Sequence, residues 1–143
     1  MEPKSYDARD IIITWGEITL EGAGDGDIVT IAYNVDNVTL TPGAQGFMVA
    51  TISANNSGRV TWSGSQATPT NDRLSVIAAL QRRKGIGLIK KTMQVRHTNG
   101  TTLARGTAWI VKVPDTAFGA EHQNRSWMFE LPNMELFVGG SLR

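Results

Sequence analysis

The sequence contains no cysteine and only two histidines, His97 and His122, among its 143 residues. The first absence excludes disulfides and thiolate chemistry. Together the two leave too few nitrogen and sulfur ligands for a zinc site. No run approaches the roughly 20 apolar residues of a membrane-spanning helix. Met1–Asp10 carries charges of both signs and lacks the apolar stretch of a secretory signal. No G-x-S-x-G elbow is present, although a serine-histidine-acid triad assembled in space stays open. Asp25-Gly26-Asp27 lacks the further oxygen ligands and terminal glutamate of a calcium loop and reads as a turn. Gly85-Ile86-Gly87 follows a helix signal, where a phosphate loop precedes one. No metal site and no membrane span are therefore expected, and no catalytic residue is assigned.

Charge is present but segregated. Residues 1–36 hold eight acids and two bases, net −6, whereas residues 37–112 hold one acid and ten bases, net +9. Residues 113–143 return to net −2, so the whole chain is near balance at +1. A general nucleic-acid binder shows an overall excess of base instead. Two readings follow: the opposite segments pair within one fold, or they meet between copies and set register. On the second, the contributing acids are Asp7, Asp10, Glu17 and Glu21, and the bases are Arg82, Arg83, Lys84, Lys90 and Lys91.

The pattern along the chain is mainly β. Ile11–Trp15, Glu17–Leu20, Asp27–Tyr33, Asn37–Leu40 and Phe47–Ser53 read as extended segments separated by Gly- and Asn-rich turns. Arg59–Ser63 alternates, with Val60 and Trp62 on one face. One helix is expected over 71–84. Thr70 or Asn71 caps it, Asp72 lies in its first turn, and Leu74, Val76, Ile77 and Leu80 form its apolar face. Arg82, Arg83 and Lys84 close its last turn, and Gly85 ends it. Leu88–His97 and Leu103–Val113 then flank an Asn99-Gly100 hairpin turn, with Trp109, Val111 and Val113 on one side of the second strand. Ser126–Leu131 alternates Trp127, Phe129 and Leu131 inward, and Met134–Val138 is a last strand. The four tryptophans read as core residues. The sum is about eight or nine strands and one helix: a single α+β domain, mainly antiparallel β, with a short arm over residues 1–10.

Gly46-Phe47-Met48, the turn Asn55-Asn56-Ser57-Gly58, the strand Arg59-Val60-Thr61-Trp62 and the helix opening Ala67-Thr68-Pro69-Thr70-Asn71-Asp72-Arg73-Leu74 belong together. In this order they resemble the phage tail tube proteins of contractile-tailed bacteriophages. Upstream, Asp10–Gly16 and Ile18–Leu20 continue the likeness, as does Phe137-Val138-Gly139-Gly140 downstream. The resemblance implies an antiparallel β-sandwich or barrel-like subunit with one flanking helix. It implies homohexameric rings that stack into an inner tube, through which viral DNA passes on ejection. Sheath and baseplate proteins are the implied partners, with no cofactor and no small-molecule substrate, and the virion tail, assembled in the host cytoplasm, is the implied location. More distantly it points to the tubes of type VI secretion and of contractile bacteriocins. Alternatives within the same machine are a tube initiator, a tube terminator or a baseplate component. An alternative of another class is a small nucleic-acid-binding β-barrel.

Two expectations concern assembly. Met1–Asp10 and the segment Asp36–Gln45 are expected at ring-to-ring contacts, because they add polar, turn-rich length that a lone domain does not need. A wall that passes DNA is expected to be polar and not basic overall. The outward faces of Leu88–His97 and Leu103–Val113 are candidates for it, although they carry Lys90, Arg96, Arg105 and Lys112.

Overall fold

Alternating β-branched and aromatic residues make strands because the pleat sends successive side chains to opposite faces. The computed structural model describes residues 11–22, 28–83, 85, 87–98 and 100–140. These residues form ten strands and one helix. The elements are β1 (Ile11–Trp15), β2 (Ile18–Thr19), β3 (Val29–Tyr33), β4 (Val38–Pro42), β5 (Met48–Ile52) and β6 (Gly58–Ser65). Then come α1 (Thr70–Gln81), β7 (Lys91–His97), β8 (Leu103–Lys112), β9 (Asn124–Leu131) and β10 (Glu135–Phe137). The expected arm over 1–10, the segment Asp25-Gly26-Asp27, Lys84 and Asn99 lie outside the described residues.

Every pairing is antiparallel. The main sheet runs β2-β1-β7-β8-β9-β6-β3, with β10 alongside β8, while among the described residues β4 pairs only with β5. β8 is the pivot. Its first part pairs with β7 and its last part with β9, and the register shifts between Ile110 and Lys112. Such an irregularity raises the local twist, so the two halves of the sheet fold toward each other. Trp15 of β1 consequently meets Phe129 of β9, a strand that is not its neighbour, with ring centroids 5.3 Å apart. This is the expected barrel-like antiparallel domain with a flanking helix.

One face of each main strand fills the core. Ile13 and Trp15, Val60 and Trp62, Met93 and Val95, and Trp127, Phe129 and Leu131 are all buried. The inward face of β8 is the reverse of the expected one: Ala104, Ala108 and Ile110 are buried, Trp109 is half-buried, and Val111 is exposed. The reason is volume. Trp15 lies across β8 and donates its indole N–H to the Ala108 carbonyl at 3.0 Å, which requires small residues beneath the ring. Close approach also explains Gly58, where a Cβ would run into the buried Met134 thioether.

The helix begins one residue earlier than expected and ends at Gln81, so Arg82 and Arg83 are not in its last turn. Thr70 and Asn71 do not cap it; Pro69 occupies the cap position. Their side chains tie the helix to the sheet. Thr70 Oγ1 donates to the Glu21 carbonyl at 3.0 Å, and Asn71 Oδ1 accepts from the Trp127 indole at 3.0 Å. At the other end Gln81 Nε2 donates to the Ile110 carbonyl at 3.0 Å and its Oε1 accepts from the Ile89 N–H at 3.4 Å, fixing the last helical residue. Leu74 and Ala78 are buried, Ile77 and Leu80 are partly buried, and Val76 is 61% exposed, so the apolar face is narrower than expected.

Candidate assembly surfaces

The segment Asp36–Gln45 is not a plain loop. Its larger part is β4, which with β5 forms a hairpin paired Val38↔Ile52, Leu40↔Ala50 and Pro42↔Met48. Directly opposed residues share a face. That face is therefore wholly apolar: Val38, Leu40, Pro42, Met48, Ala50 and Ile52. The other face carries Thr39, Thr41, Val49 and Thr51. All ten strand residues are exposed, Ile52 by 81%, and Phe47 at the turn by 73%. A strand pair with one apolar face normally lays it on a core, yet neither strand pairs with any other described strand. The turn is tight, with Gly46 at φ 83°, a value that suits glycine.

The base of the hairpin is anchored. Asn34 donates to Glu130 at 2.6 Å and to the Ser57 hydroxyl at 3.0 Å. The Tyr33 hydroxyl donates to the Met134 carbonyl at 3.2 Å and accepts the Leu136 N–H at 3.1 Å. These bonds hold the two ends of the chain segment that carries the arm, at Tyr33-Asn34 and at Ser57, against β9 and the segment after it.

A second surface is the outward face of β3, β6 and β9. Registers Ala32↔Arg59↔Glu130, Thr30↔Thr61↔Met128 and Ser63↔Ser126 place these side chains opposite the core. Apart from Met128 and Ala32 the face is polar, and its one guanidinium is neutralised by Glu130 at 3.1 Å. Lys112 at its border faces Asp115 at 3.5 Å. The strands β7 and β8, chosen from sequence as wall candidates, differ. Arg105 pairs with Glu135 at 2.9 Å, Arg96 is exposed, and Lys90 sits 6.0 Å from the Trp109 ring centre. One row of that outward face is apolar, joining Ile12, Leu103 and the 63% exposed Phe137 around Arg96.

The charged residues singled out from sequence divide three ways. Glu17 and Lys91 pair within the chain at 2.5 Å, and that hydrogen bond, reinforced by the Lys91 charge, holds the Glu17 carboxyl below its ordinary range. Glu21 is exposed; its backbone holds the helix start. Arg82 and Arg83 are exposed just past α1 and make no ion pair with the described residues, as is also true of Lys90. Asp7, Asp10 and Lys84 lie outside the described residues. Across the described residues, then, within-chain pairing accounts for Lys91 and Glu17 and leaves Arg82 and Arg83 free.

Sequence reasoning missed Arg125. It falls in phase with Trp127, Phe129 and Leu131 on β9, which is the signal that identifies it, and only 8% of it is exposed. Its guanidinium donates to the Ala117 carbonyl at 3.1 Å and to the Asn124 carbonyl at 3.4 Å, and lies 5.4 Å from the Phe118 ring centre. No carboxylate of the described residues pairs with it. It lines a cavity of about 230 Å³ between α1 and the 113–123 segment. Nearby, Ser65 Oγ and His122 Nε2 are 2.9 Å apart, the serine half-buried and the histidine exposed, and no described carboxylate is bonded to that imidazole.

Known proteins share this fold. The chain is 26% identical over 124 residues to structural protein ORF10 of Pseudomonas phage KPP10, covering 86% of this chain and 72% of that protein. The sheath/tube terminator of an extracellular contractile injection system, PVC, in its extended state superposes with a TM-score of 0.66 at 12% identity, covering 95% of this chain and 99% of that one. A chain of the virion of a native gene transfer agent particle gives 0.64 at 13% identity, covering 94% and 100%. At such identities these two superpositions establish the fold alone. The family described as Bacteriophage PhiTE tail tube protein matches residues 11–139, nearly the whole chain, and the protein belongs to that tail tube family.

Proposed function

We propose that this tail protein builds the inner tube itself, as homohexameric rings stacked without limit around a channel for viral DNA, inside a contractile sheath and on a baseplate. The observation that carries the reading is the hairpin β4–β5, an amphipathic arm with its apolar face in solvent. One face of exposed apolar residues on this scale marks a protein contact. A head-to-tail contact that does not close on itself generates a stack.

The outward face of β3, β6 and β9 supports the channel part. A wall of Thr, Ser, Met128 and a neutralised Arg59–Glu130 pair binds no phosphate strongly, because affinity for duplex DNA follows the number of phosphates that cations neutralise. We therefore assign the wall to that face rather than to the more basic β7–β8 face. The role is structural: it calls for no catalysis, cofactor or small-molecule substrate, and assembly takes place in the host cytoplasm.

A tube terminator is the second reading, favoured by the superposition on the PVC terminator. Electron microscopy of the purified protein at high concentration separates the two. Long tubes of uniform bore are expected. Single rings that never stack identify a terminator, and monomers at every concentration refute both. Replacing residues 38–52 by a short Gly-Ser turn is expected to abolish tubes and leave the monomer folded.

A further inference from the structure

We propose that the cavity beside Arg125 is the socket that receives the tip of the hairpin from a second copy of this chain, with Phe47 as its anchor. The proposal rests on the stacking reading above and names the surface on which the arm lands. A guanidinium nearly shut away from water, bonded among the described residues to carbonyls and to no carboxylate, keeps a buried charge that no described counter-charge balances. Phe118 covers one side of it, and that ring is itself 83% exposed at the lip of the cavity. A second aromatic face entering from the cavity sandwiches the cation, and cation–π attraction strengthens as water is removed.

The arm fits in chemistry and size. Residues 34–57 contain one acid, Asp36, and no base, so nothing on the arm repels Arg125. Phe47 stands at the turn, 73% exposed, where Gly43 and Gly46 keep the backbone narrow. Val113, Pro114 and Trp127 supply apolar lining. An apolar cavity of about 150 Å³ in another protein takes benzene; the 230 Å³ here admits a phenylmethyl side chain. A buried aromatic anchor in a pocket beside an arginine is the composition of an interface hot spot. Arm and socket are different surfaces of one subunit, so the contact is heterologous and propagates.

The chain has no native cysteine, so paired substitutions report the contact without background. In the variant Gln45→Cys with Thr116→Cys, mild oxidation of assembled protein is expected to give a ladder of covalent multimers on non-reducing gels, which neither single variant gives. Phe47→Ala is expected to raise the critical concentration for tubes about 30-fold, the effect of losing a hot-spot residue. Arg125 variants risk misfolding, so the socket is also blocked from its exposed side by Ser75→Trp, expected to impair assembly while leaving monomer unfolding unchanged. Tubes that form normally with Ser75→Trp and give no ladder overturn the socket and leave stacking by the arm intact. Wild-type protein that never assembles, with or without residues 38–52, overturns the stacking reading itself.

Discussion

Truncating Leu74 to alanine tests how the only described helix is held. Leu74 is fully buried, Ala78 beside it is 7% exposed, and both join the core that contains Trp15, Trp62 and Trp127. Removing three buried carbons loses their transfer free energy and leaves a void whose cost depends on how far the surroundings collapse. Collapse is restricted here, because hydrogen bonds from Thr70, Asn71 and Gln81 pin both ends of α1 to the sheet. The expected loss is therefore in the middle to upper part of the usual range, about 3–4 kcal/mol. For a chain of this size that lowers Tm by about 10–15 °C. Ile77→Ala, at a partly buried position, is expected to cost about half as much, and Val76→Ala, 61% exposed, less than about 0.5 kcal/mol. The assay is thermal unfolding followed by circular dichroism at two low protein concentrations, since assembly stabilises by mass action. Equal losses for Val76→Ala and Leu74→Ala would refute the assigned helix face. No loss for Leu74→Ala would show that the helix does not hold the core.

Glu17 has a depressed pKa when folded, so its pair with Lys91 contributes fully above the ordinary glutamate pKa of about 4.3 and is lost as pH falls through the folded value. Glu17→Gln is expected to make the acid limb of a Tm-against-pH curve slightly shallower, the group being exposed; an unchanged limb contradicts the assignment. Reversing Arg82 and Arg83 to glutamate is expected to hinder assembly in low salt while monomer Tm stays within the range of surface substitutions; normal tubes across a salt series refute a role between subunits. Thr61→Lys with Ser63→Lys is expected to make preformed tubes retain short duplex DNA at about 50 mM salt and release it near 200 mM. Identical behaviour of variant and wild type removes β6 from the channel wall.

How much of this was legible from the sequence depended on whether one chain contained the whole reason. Val60–Trp62 and Trp127–Phe129–Leu131 were legible because alternation and side-chain size point the same way. On β8 they conflict. The alanines face inward because Trp15, far away in sequence, needs the room, so Trp109 misleads. The helix was legible from Leu74 and its spacing, but its ends were not. Thr70, Asn71 and Gln81 look like cap and surface residues until their partners Glu21, Trp127 and Ile110 are brought near. The two strands of the hairpin were legible as extended segments. Their shared apolar face was not, because recognising it requires the register.

The arm and the socket also bear on whether the chain makes an open tube or a cap. A related fold serves the PVC terminator, so fold cannot separate the roles. Valence can. A terminating subunit presents one axial surface to the ring below and must leave the other unable to accept a further ring. A tube subunit must offer two surfaces that complement each other, because every ring is both donor and acceptor. On the proposed assignment, this chain carries Phe47 on one and the cleft beside Arg125 on the other. Neither is covered by another described segment, since Phe47 and Phe118 are 73% and 83% exposed. Mixing copies that lack residues 38–52 with intact copies turns this into a measurement. The truncated copies keep a socket but no arm, so each accepts a neighbour and offers none. They are expected to shorten tubes in proportion to their fraction, as terminators do, and tube lengths that ignore that fraction would rule out the two-surface mechanism.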